Sequence, residues 1–197
     1  MIEPVLVFLA GSNGAGKSTF FKDYLQPLGL RFINADEIAL LLRETAPPGE
    51  AEAIDRRAFE MTEAIRESLL ASRTSFCTET VFSDPGGAKL EFLKSARAAG
   101  YTVFLVFIGL SAPELSIARV MQRVEKGGHD IPDEKLVSRY PRTLDNLRQA
   151  IPLVHEALLF DNSSDLDPFR LVAIYSDGRL VHRVDPLPSW TRGLPDL

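Results

Sequence analysis

Short apolar runs alternate with longer amphipathic stretches along most of this chain. The first run, residues 4–10, is continuously apolar and ends at a glycine, which is typical of a strand buried on both faces of a parallel sheet. The alternation predicts an α/β fold, a three-layer α/β sandwich around a mostly parallel five-stranded sheet. The other predicted strands are residues 31–34, 74–81, 101–110 and 158–161. The predicted helices are residues 17–28, 35–43, 51–72, 88–99, 113–126 and 133–157.

The C-terminal region has a different pattern. Residues 171–175 and 180–184 alternate in polarity on either side of a Ser-Asp-Gly turn, which predicts a β-hairpin added at the edge of the sheet. Trp190 and the proline-rich residues around it predict a loosely ordered end. Since no linker divides the chain, we expect one domain over residues 1–197, with a core in residues 1–165 and the hairpin and tail after it.

Composition narrows the class of protein. The 197 residues are 45% hydrophobic and 25% charged, as in an ordinary globular domain. The net charge of −5 gives no general attraction to nucleic acid. Cys77 is the only cysteine, which excludes an intrachain disulfide and fits a reducing cytoplasm. The apolar runs are too short to span a membrane. We therefore expect a cytoplasmic protein whose partners include neither nucleic acid nor a membrane.

Residues 11–19, directly after the first strand, match the phosphate-binding loop pattern. Glycines at these places let backbone N–H groups turn toward a phosphate at the N-terminus of the next helix. Lys17 is expected to reach the β and γ phosphates of a nucleoside triphosphate, and the Ser18 hydroxyl to bind Mg²⁺. The predicted nucleotide-binding residues are Gly11, Ser12, Asn13, Gly14, Ala15, Gly16, Lys17, Ser18 and Thr19.

Polar residues follow the second and third strands, at the sheet edge where parallel α/β proteins bind ligands. Asp36, ionised at neutral pH, is a candidate to accept the proton of a substrate hydroxyl, and alternatively it caps the helix that follows. Glu37, Glu79 and Thr80 are further candidates for binding substrate, with a structural salt bridge as the alternative for Glu79. No acidic residue ends the fourth run, so Mg²⁺ is expected to rely on Ser18 with Asp36, Glu79 or water.

The remaining candidates lie later in the chain. Gly127 and Gly128 are expected to let a lid close, and Arg139 and Arg142 to neutralise charge on a transferring phosphoryl group. The alternative is that both arginines are solvated on a helix surface. Asn162 follows the fifth strand, in a loop that is expected to lie against adenine, although Asn is also common in ordinary turns.

The order of these segments resembles the zeta-toxin family of kinases. Besides the phosphate-binding loop, the resemblance rests on Phe-Ile-Asn-Ala-Asp-Glu at residues 32–37 and Thr-Glu-Thr at residues 78–80. Later Gly-Gly-His and Arg-Tyr-Pro-Arg segments complete it, so that it spans about residues 5–164. The resemblance implies a strand order of two-three-one-four-five in the sheet and an antitoxin protein as a partner.

The same resemblance implies ATP-dependent phosphorylation of a hydroxyl on a nucleotide sugar, UDP-N-acetylglucosamine in the characterised toxins. Asp36 then matches the position of the catalytic base, and Glu79 that of a substrate-binding acid. Lys17 and Ser18 match the phosphate and magnesium groups.

Two classes of function stay open. The first is a small-molecule kinase that uses ATP and Mg²⁺ and transfers the γ-phosphoryl group to a hydroxyl acceptor. The second is a nucleotide-dependent ATPase switch or binding module that acts on a protein partner. The chain has neither the Asn-Lys-Xxx-Asp motif of guanine specificity nor the Leu-Ser-Gly-Gly-Gln signature of transporter ATPases. Together with Asp36 at the ligand-binding edge, this favours the kinase.

Overall fold

The computed structural model describes residues 3–44, 47, 50–125 and 131–197. The strands of this part of the chain are β1 (Val5–Gly11), β2 (Arg31–Ile33), β3 (Phe76–Thr80), β4 (Thr102–Gly109), β5 (Glu156–Asp161), β6 (Arg170–Ser176) and β7 (Arg179–Arg183). The helices are α1 (Lys17–Phe20), α2 (Ala35–Arg43), α3 (Ala51–Ala71), α4 (Ala88–Ala98), α5 (Pro113–Glu125) and α6 (Asp133–Ala150).

The strands form one sheet in the order β2-β3-β1-β4-β5-β6-β7. The first five strands run parallel, which confirms the predicted sheet and its order. The hairpin of β6 and β7 pairs antiparallel with β5. The described sheet therefore has seven strands rather than five, because the predicted edge hairpin continues it.

Side-chain alternation along β1 divides the core between the two faces of the sheet. Leu6 and Phe8 belong to a cluster that includes residues of α3, α4 and α6. Val7 and Leu9 belong to another cluster, with residues of α1 and α5. Helices thus cover both faces, which confirms the three-layer α/β sandwich. Among the described residues, no helix is both long enough and apolar enough to cross a membrane.

A smaller cluster joins α2 to α3. It consists of Ala39, Ile54 and Ala58 and is separate from the two larger clusters. An ion pair between Arg43 and Asp55 also links the two helices. Since α2 follows β2 directly, this helix pair stands at the carboxyl edge of the sheet, where the site was predicted.

The predicted helix over residues 17–28 is not regular. Only its first part is α-helical; a wider π-helical turn follows at Phe21–Leu25, and a 3-10 turn at Gln26–Leu28. The ring of Phe21 stacks on Phe32 of β2, with 3.7 Å between the ring centroids. The irregular turn therefore occurs where the helix packs against the edge strand.

The predicted helix over residues 133–157 is wrong in its last seven residues. It runs through Pro141 but ends at Ala150, and β5 begins at Glu156. Pro152 lies in the short turn between them, where its missing N–H prevents the helix from continuing.

The C-terminal residues are packed, so the predicted loosely ordered end is wrong. Trp190 is 3% exposed, and its ring centroid lies 5.6 Å from that of Phe107 in β4. Its indole N–H donates to Oδ1 of Asp161 over 2.9 Å. Leu194 is also buried. The proline-rich composition could not predict this packing, because the burial of Trp190 depends on residues that are remote in the sequence.

Candidate active site

The loop between β1 and α1 turns tightly against the sheet, and two glycines make this possible. At Gly11 a Cβ would stand 2.3 Å from the carbonyl oxygen of Ile108. At Gly16, where φ is +91°, a Cβ would stand 2.6 Å from Nδ2 of Asn162. Because only glycine fits at both places, the sequence pattern of a phosphate-binding loop is accompanied by the backbone it requires.

Lys17 is buried beneath this loop. The residue is 6% exposed, and its Nζ donates to the carbonyl of Ser12 over 3.1 Å. Nζ also lies 3.7 Å from Oε1 of Glu79. Burial lowers the pKa of Lys17, while the charges of Glu79 and Asp36 act in the opposite direction. The ammonium group is therefore poorly solvated, a setting in which an anionic ligand binds more strongly than in water.

Glu79 connects the loop to the segment between β2 and α2. Its Oε2 accepts hydrogen bonds from the Ser18 hydroxyl over 3.1 Å and from Nδ2 of Asn34 over 3.0 Å. In the parallel register Glu79 lies beside Leu9 of β1, so the end of β3 reaches the first turn of α1. Glu79 thus takes part in the ion pair that was the alternative reading and, at the same time, stands at the predicted site.

Asn34 caps α2 and fixes the start of this helix. Its Oδ1 accepts from the backbone N–H of Asp36 over 2.7 Å. The alternative that Asp36 is the cap is therefore wrong, and the Asp36 side chain is exposed. Its charge opposes the lowering of the pKa of both Lys17 and Arg139, which puts the carboxylate near both cations.

The other two predicted substrate residues differ in their contacts. Partial desolvation of the carboxylate, together with nearby Glu79, raises the pKa of Glu37. Oγ1 of Thr80 accepts from the backbone N–H of Phe82 over 3.2 Å. The Thr80 hydroxyl therefore shapes the turn that follows β3.

Arg139 and Arg142 lie side by side on α6, close to the loop. Nη1 of Arg139 approaches Oδ1 of Asn13 at 3.4 Å. Burial and the neighbouring Arg142 lower the pKa of Arg139, and Asp36 opposes the change. Nε of Arg142 is buried and finds no hydrogen-bond partner within the described part of the chain. A buried donor without a partner is costly, and an anionic ligand would satisfy it.

The remaining predictions concern two later loops. Asn162 is buried; its Nδ2 donates to the carbonyl of Ala15 over 2.9 Å, and its Oδ1 accepts from the N–H of Phe169 over 3.3 Å. Asn162 therefore supports the phosphate-binding loop, while a contact with adenine stays a prediction. Gly127 and Gly128 lie outside the described residues, so the lid stays a prediction too.

The oxygen atoms near the loop suit a magnesium ion. Ser18 Oγ and Glu79 Oε2 are hard oxygen donors, 3.1 Å apart, beside the place where a phosphate would lie. In nucleotide sites Mg²⁺ is held by one or two protein oxygens together with phosphates and water. The donor set therefore fits this ion.

Two residues of the site were not singled out in the sequence. Asn34 had a signal, because an Asn directly before an amphipathic helix is typical of a cap. Arg66 of α3 had none: it is 3% exposed, and it donates from Nε to Oγ1 of Thr78 over 2.7 Å and from Nη2 to the carbonyl of Glu79 over 3.0 Å. Only tertiary packing makes this arginine a support of β3.

Comparison with known proteins identifies the family. The family model described as "Zeta toxin" matches residues 2–165. The chain belongs to the zeta-toxin family. An uncharacterized protein of Haemophilus influenzae is 30% identical to this zeta-family chain over 135 residues, 68% of this chain and 91% of the relative. Shikimate kinase 2 of Yersinia enterocolitica is 37% identical over 84 residues, 43% of this chain and 45% of that enzyme.

Solved structures share the fold. A chain from the PezAT chromosomal toxin-antitoxin system of Streptococcus pneumoniae matches with a TM-score of 0.63 and 20% identity, over 82% of this chain and 69% of that one. A chain of the AvrRxo1-ORF1:AvrRxo1-ORF2 complex with sulphate ions matches with a TM-score of 0.71 and 18% identity, over 90% and 60%. Shikimate kinase from Acinetobacter baumannii in complex with shikimate has a TM-score of 0.51 and 16% identity, over 82% and 84%. The chain thus shares its fold with these proteins, among them a shikimate kinase.

Proposed function

We propose that this zeta-family protein is an ATP-dependent kinase that transfers the γ-phosphoryl group of ATP to a hydroxyl of a small molecule. One observation carries the proposal. Glu79 accepts hydrogen bonds from both Ser18 and Asn34, and Asn34 holds the backbone of Asp36. A residue of the nucleotide loop and a candidate base are thereby fixed at the same sheet edge.

The phosphates of ATP bind at the loop of residues 11–19. Its backbone N–H groups surround the phosphates at the start of α1. The buried ammonium of Lys17 exchanges its contact with the Ser12 carbonyl for a phosphate oxygen. Ser18, with Glu79 acting directly or through water, would hold Mg²⁺. When bound, the ion neutralises charge on the β and γ phosphates.

Asp36 accepts the proton of the acceptor hydroxyl. As the acceptor oxygen forms its bond to the γ-phosphorus, the bond between that phosphorus and the bridging oxygen breaks, and ADP leaves with the electron pair. Arg139 and Arg142 face the negative charge that spreads over the transferring group. Holding both reactants at one edge of the sheet supplies much of the rate enhancement.

A nucleotide sugar such as UDP-N-acetylglucosamine is the acceptor that we propose. Membership of the zeta-toxin family supports it. Carboxylates accept hydrogen bonds from sugar hydroxyls, and Asp36, Glu37 and Glu79 lie close together at this edge.

Acceptor-dependent ADP release tests the proposal. Wild type, with ATP and Mg²⁺, is compared with Asp36→Asn over a panel that includes UDP-N-acetylglucosamine and other nucleotide sugars. We expect one acceptor to stimulate ADP release in wild type, and Asp36→Asn to lose the stimulation by about a hundredfold or more while still binding ATP.

Glu44→Gln is the matched control. It removes an exposed carboxylate beyond the end of the same helix, about 12 Å along the axis from Asp36. Its ADP release should equal that of wild type. Stimulation that persists in Asp36→Asn would contradict the role of the base, and the lack of stimulation by any nucleotide sugar would contradict the acceptor.

An antitoxin protein is the macromolecular partner that we propose. Support comes from family membership and from the fold shared with a chain of a toxin-antitoxin system. Expression of wild type alone should arrest growth, whereas expression of Asp36→Asn should not. Equal growth of both strains would contradict toxicity and leave the kinase assignment standing.

A further inference from the structure

We propose that Trp190 is a positioning residue, which holds the phosphate-binding loop in its nucleotide-binding shape through Asp161 and Asn162. The residue belongs to the C-terminal tail, residues 187–197, which follows the segment matched by the family model. The inference rests on the part of the proposed function that places ATP at the loop, and needs no acceptor.

The first link joins the tail to the end of β5. The indole N–H of Trp190 donates to Oδ1 of Asp161 over 2.9 Å, and both groups are buried. The same oxygen accepts from the Ser163 hydroxyl over 2.6 Å. Oγ of Ser163 in turn accepts from the backbone N–H of Ser111 over 2.8 Å. The first two bonds meet on one carboxylate oxygen, and the third ends on Ser163, so together they fix the chain directly before and after Asn162.

The second link joins Asn162 to the nucleotide loop. Its backbone N–H donates to the carbonyl of Gly109 over 3.0 Å, and its side chain donates to the carbonyl of Ala15 over 2.9 Å. Ala15 is fully buried, directly before Gly16. Two hydrogen bonds and one peptide bond therefore separate the Trp190 ring from the backbone that would bind phosphate.

The Trp190 ring also fills the space beside Gly109. A Cβ on Gly109 would stand 2.3 Å from Cε2 of the indole. The ring is thus in contact with the backbone of Gly109, whose carbonyl accepts the hydrogen bond from the backbone N–H of Asn162. Movement of the ring would displace both Asp161 and the Gly109 backbone, because close-packed interiors transmit small displacements.

Other contacts anchor the tail independently of Trp190. The Tyr175 hydroxyl donates to the carbonyl of Pro195 over 2.6 Å, and Nη2 of Arg148 donates to the carbonyl of Arg192 over 3.0 Å. Leu194 is 3% exposed. Removing only the indole N–H should therefore leave the tail docked, which separates positioning from folding.

Trp190→Phe and Tyr175→Phe make a matched pair. Each removes one hydrogen-bond donor between the tail and the sheet and keeps an aromatic ring. Trp190→Phe also removes part of the ring that packs against Gly109, and of the two residues only Trp190 bonds Asp161. Calorimetric titration with Mg-ATP, at a temperature where both variants are folded, should give a dissociation constant about fivefold higher for Trp190→Phe and unchanged for Tyr175→Phe. Equal ATP affinity of Trp190→Phe and wild type would overturn the proposal, as would an equal weakening in both variants.

A measurement on wild type keeps the proposal falsifiable if a variant fails to fold. Coupling between two sites is reciprocal, so a tail that strengthens ATP binding must itself be stabilised by ATP. Hydrogen exchange of residues 187–197 should slow when Mg-ATP is added, and unchanged exchange overturns the proposal. Wild type that binds no ATP overturns both this inference and the proposed function, whereas wild type that binds ATP without a change in the tail overturns the inference alone.

Discussion

The proposed nucleotide side and the proposed acceptor side of this site are held in place in different ways. On the nucleotide side, two loop glycines lie directly against their neighbours: Gly11 against the backbone of Ile108, and Gly16 against the buried side-chain amide of Asn162. On the acceptor side, Asp36 stands on a helix that is joined to α3 by a cluster of three buried residues. Next to it Leu40 of α2 remains 61% exposed.

This difference matches what the two sides have to recognise. Phosphates have the same geometry in every nucleotide, so a loop fixed by close packing serves any kinase of this fold. Acceptors differ between kinases, and side chains on a helix pair with a small core can be exchanged at little cost to the rest of the fold. We therefore expect substitutions on the two sides to affect different measurable quantities.

Gly16→Ala should have the largest effect. The left-handed backbone and the 2.6 Å approach to Asn162 together cost about 3 kcal/mol, which lowers ATP affinity by about a hundredfold. Titration with Mg-ATP measures it. Gly29→Ala is the control, because Gly29 has φ of +66° and open space where a Cβ would stand. It should lose about 1 kcal/mol of stability and no ATP affinity; a large loss in both variants would contradict the packing argument.

Ile54→Ala should have a smaller effect, and on the acceptor side of the site. Removing this buried side chain from the cluster between α2 and α3 should cost about 2 kcal/mol of unfolding free energy. The expected signature is a higher KM for the acceptor with an unchanged dissociation constant for ATP. Leu93→Ala, in the large cluster on α4, is the control and should lower stability without a shift in either constant at temperatures where it is folded. Weaker ATP binding by Ile54→Ala would show that the two sides are not independent.

Glu37→Gln should have the smallest effect, visible as a pH dependence. Partial desolvation and Glu79 raise the pKa of Glu37 in the folded protein, so the unfolded chain releases this proton at lower pH. The stability of wild type therefore falls as the pH rises from the ordinary glutamate range through the raised pKa. Relative to wild type, the melting temperature of Glu37→Gln should increase between about pH 4 and pH 7. A difference that stays constant over this range would contradict the raised pKa.

Local signals predicted most of the fold and the edge of the sheet at which the candidate site residues lie, while the roles of those residues stay predictions. A few neighbouring positions are enough to recognise strand periodicity, helix-breaking residues, the hairpin turn and the phosphate-binding pattern. The single-domain organisation and the lid stay predictions. The predicted helix over residues 133–157 is too long, because the helical spacing of apolar residues continues into a strand that begins at Glu156.

The sequence by itself determined the α/β class and the phosphate-binding pattern, because each depends on residues that are close together in the chain. It also determined the membership of the zeta-toxin family, through the order of several short segments over residues 2–165. Only the tertiary structure decided that Glu79 is shared between Ser18 and Asn34, that Arg66 is buried under β3, and that Trp190 packs on the ends of β4 and β5. Those hydrogen bonds join residues from 12 to 61 positions apart. Strand order and close packing decide which of these residues meet, and neither can be read from a single stretch of sequence.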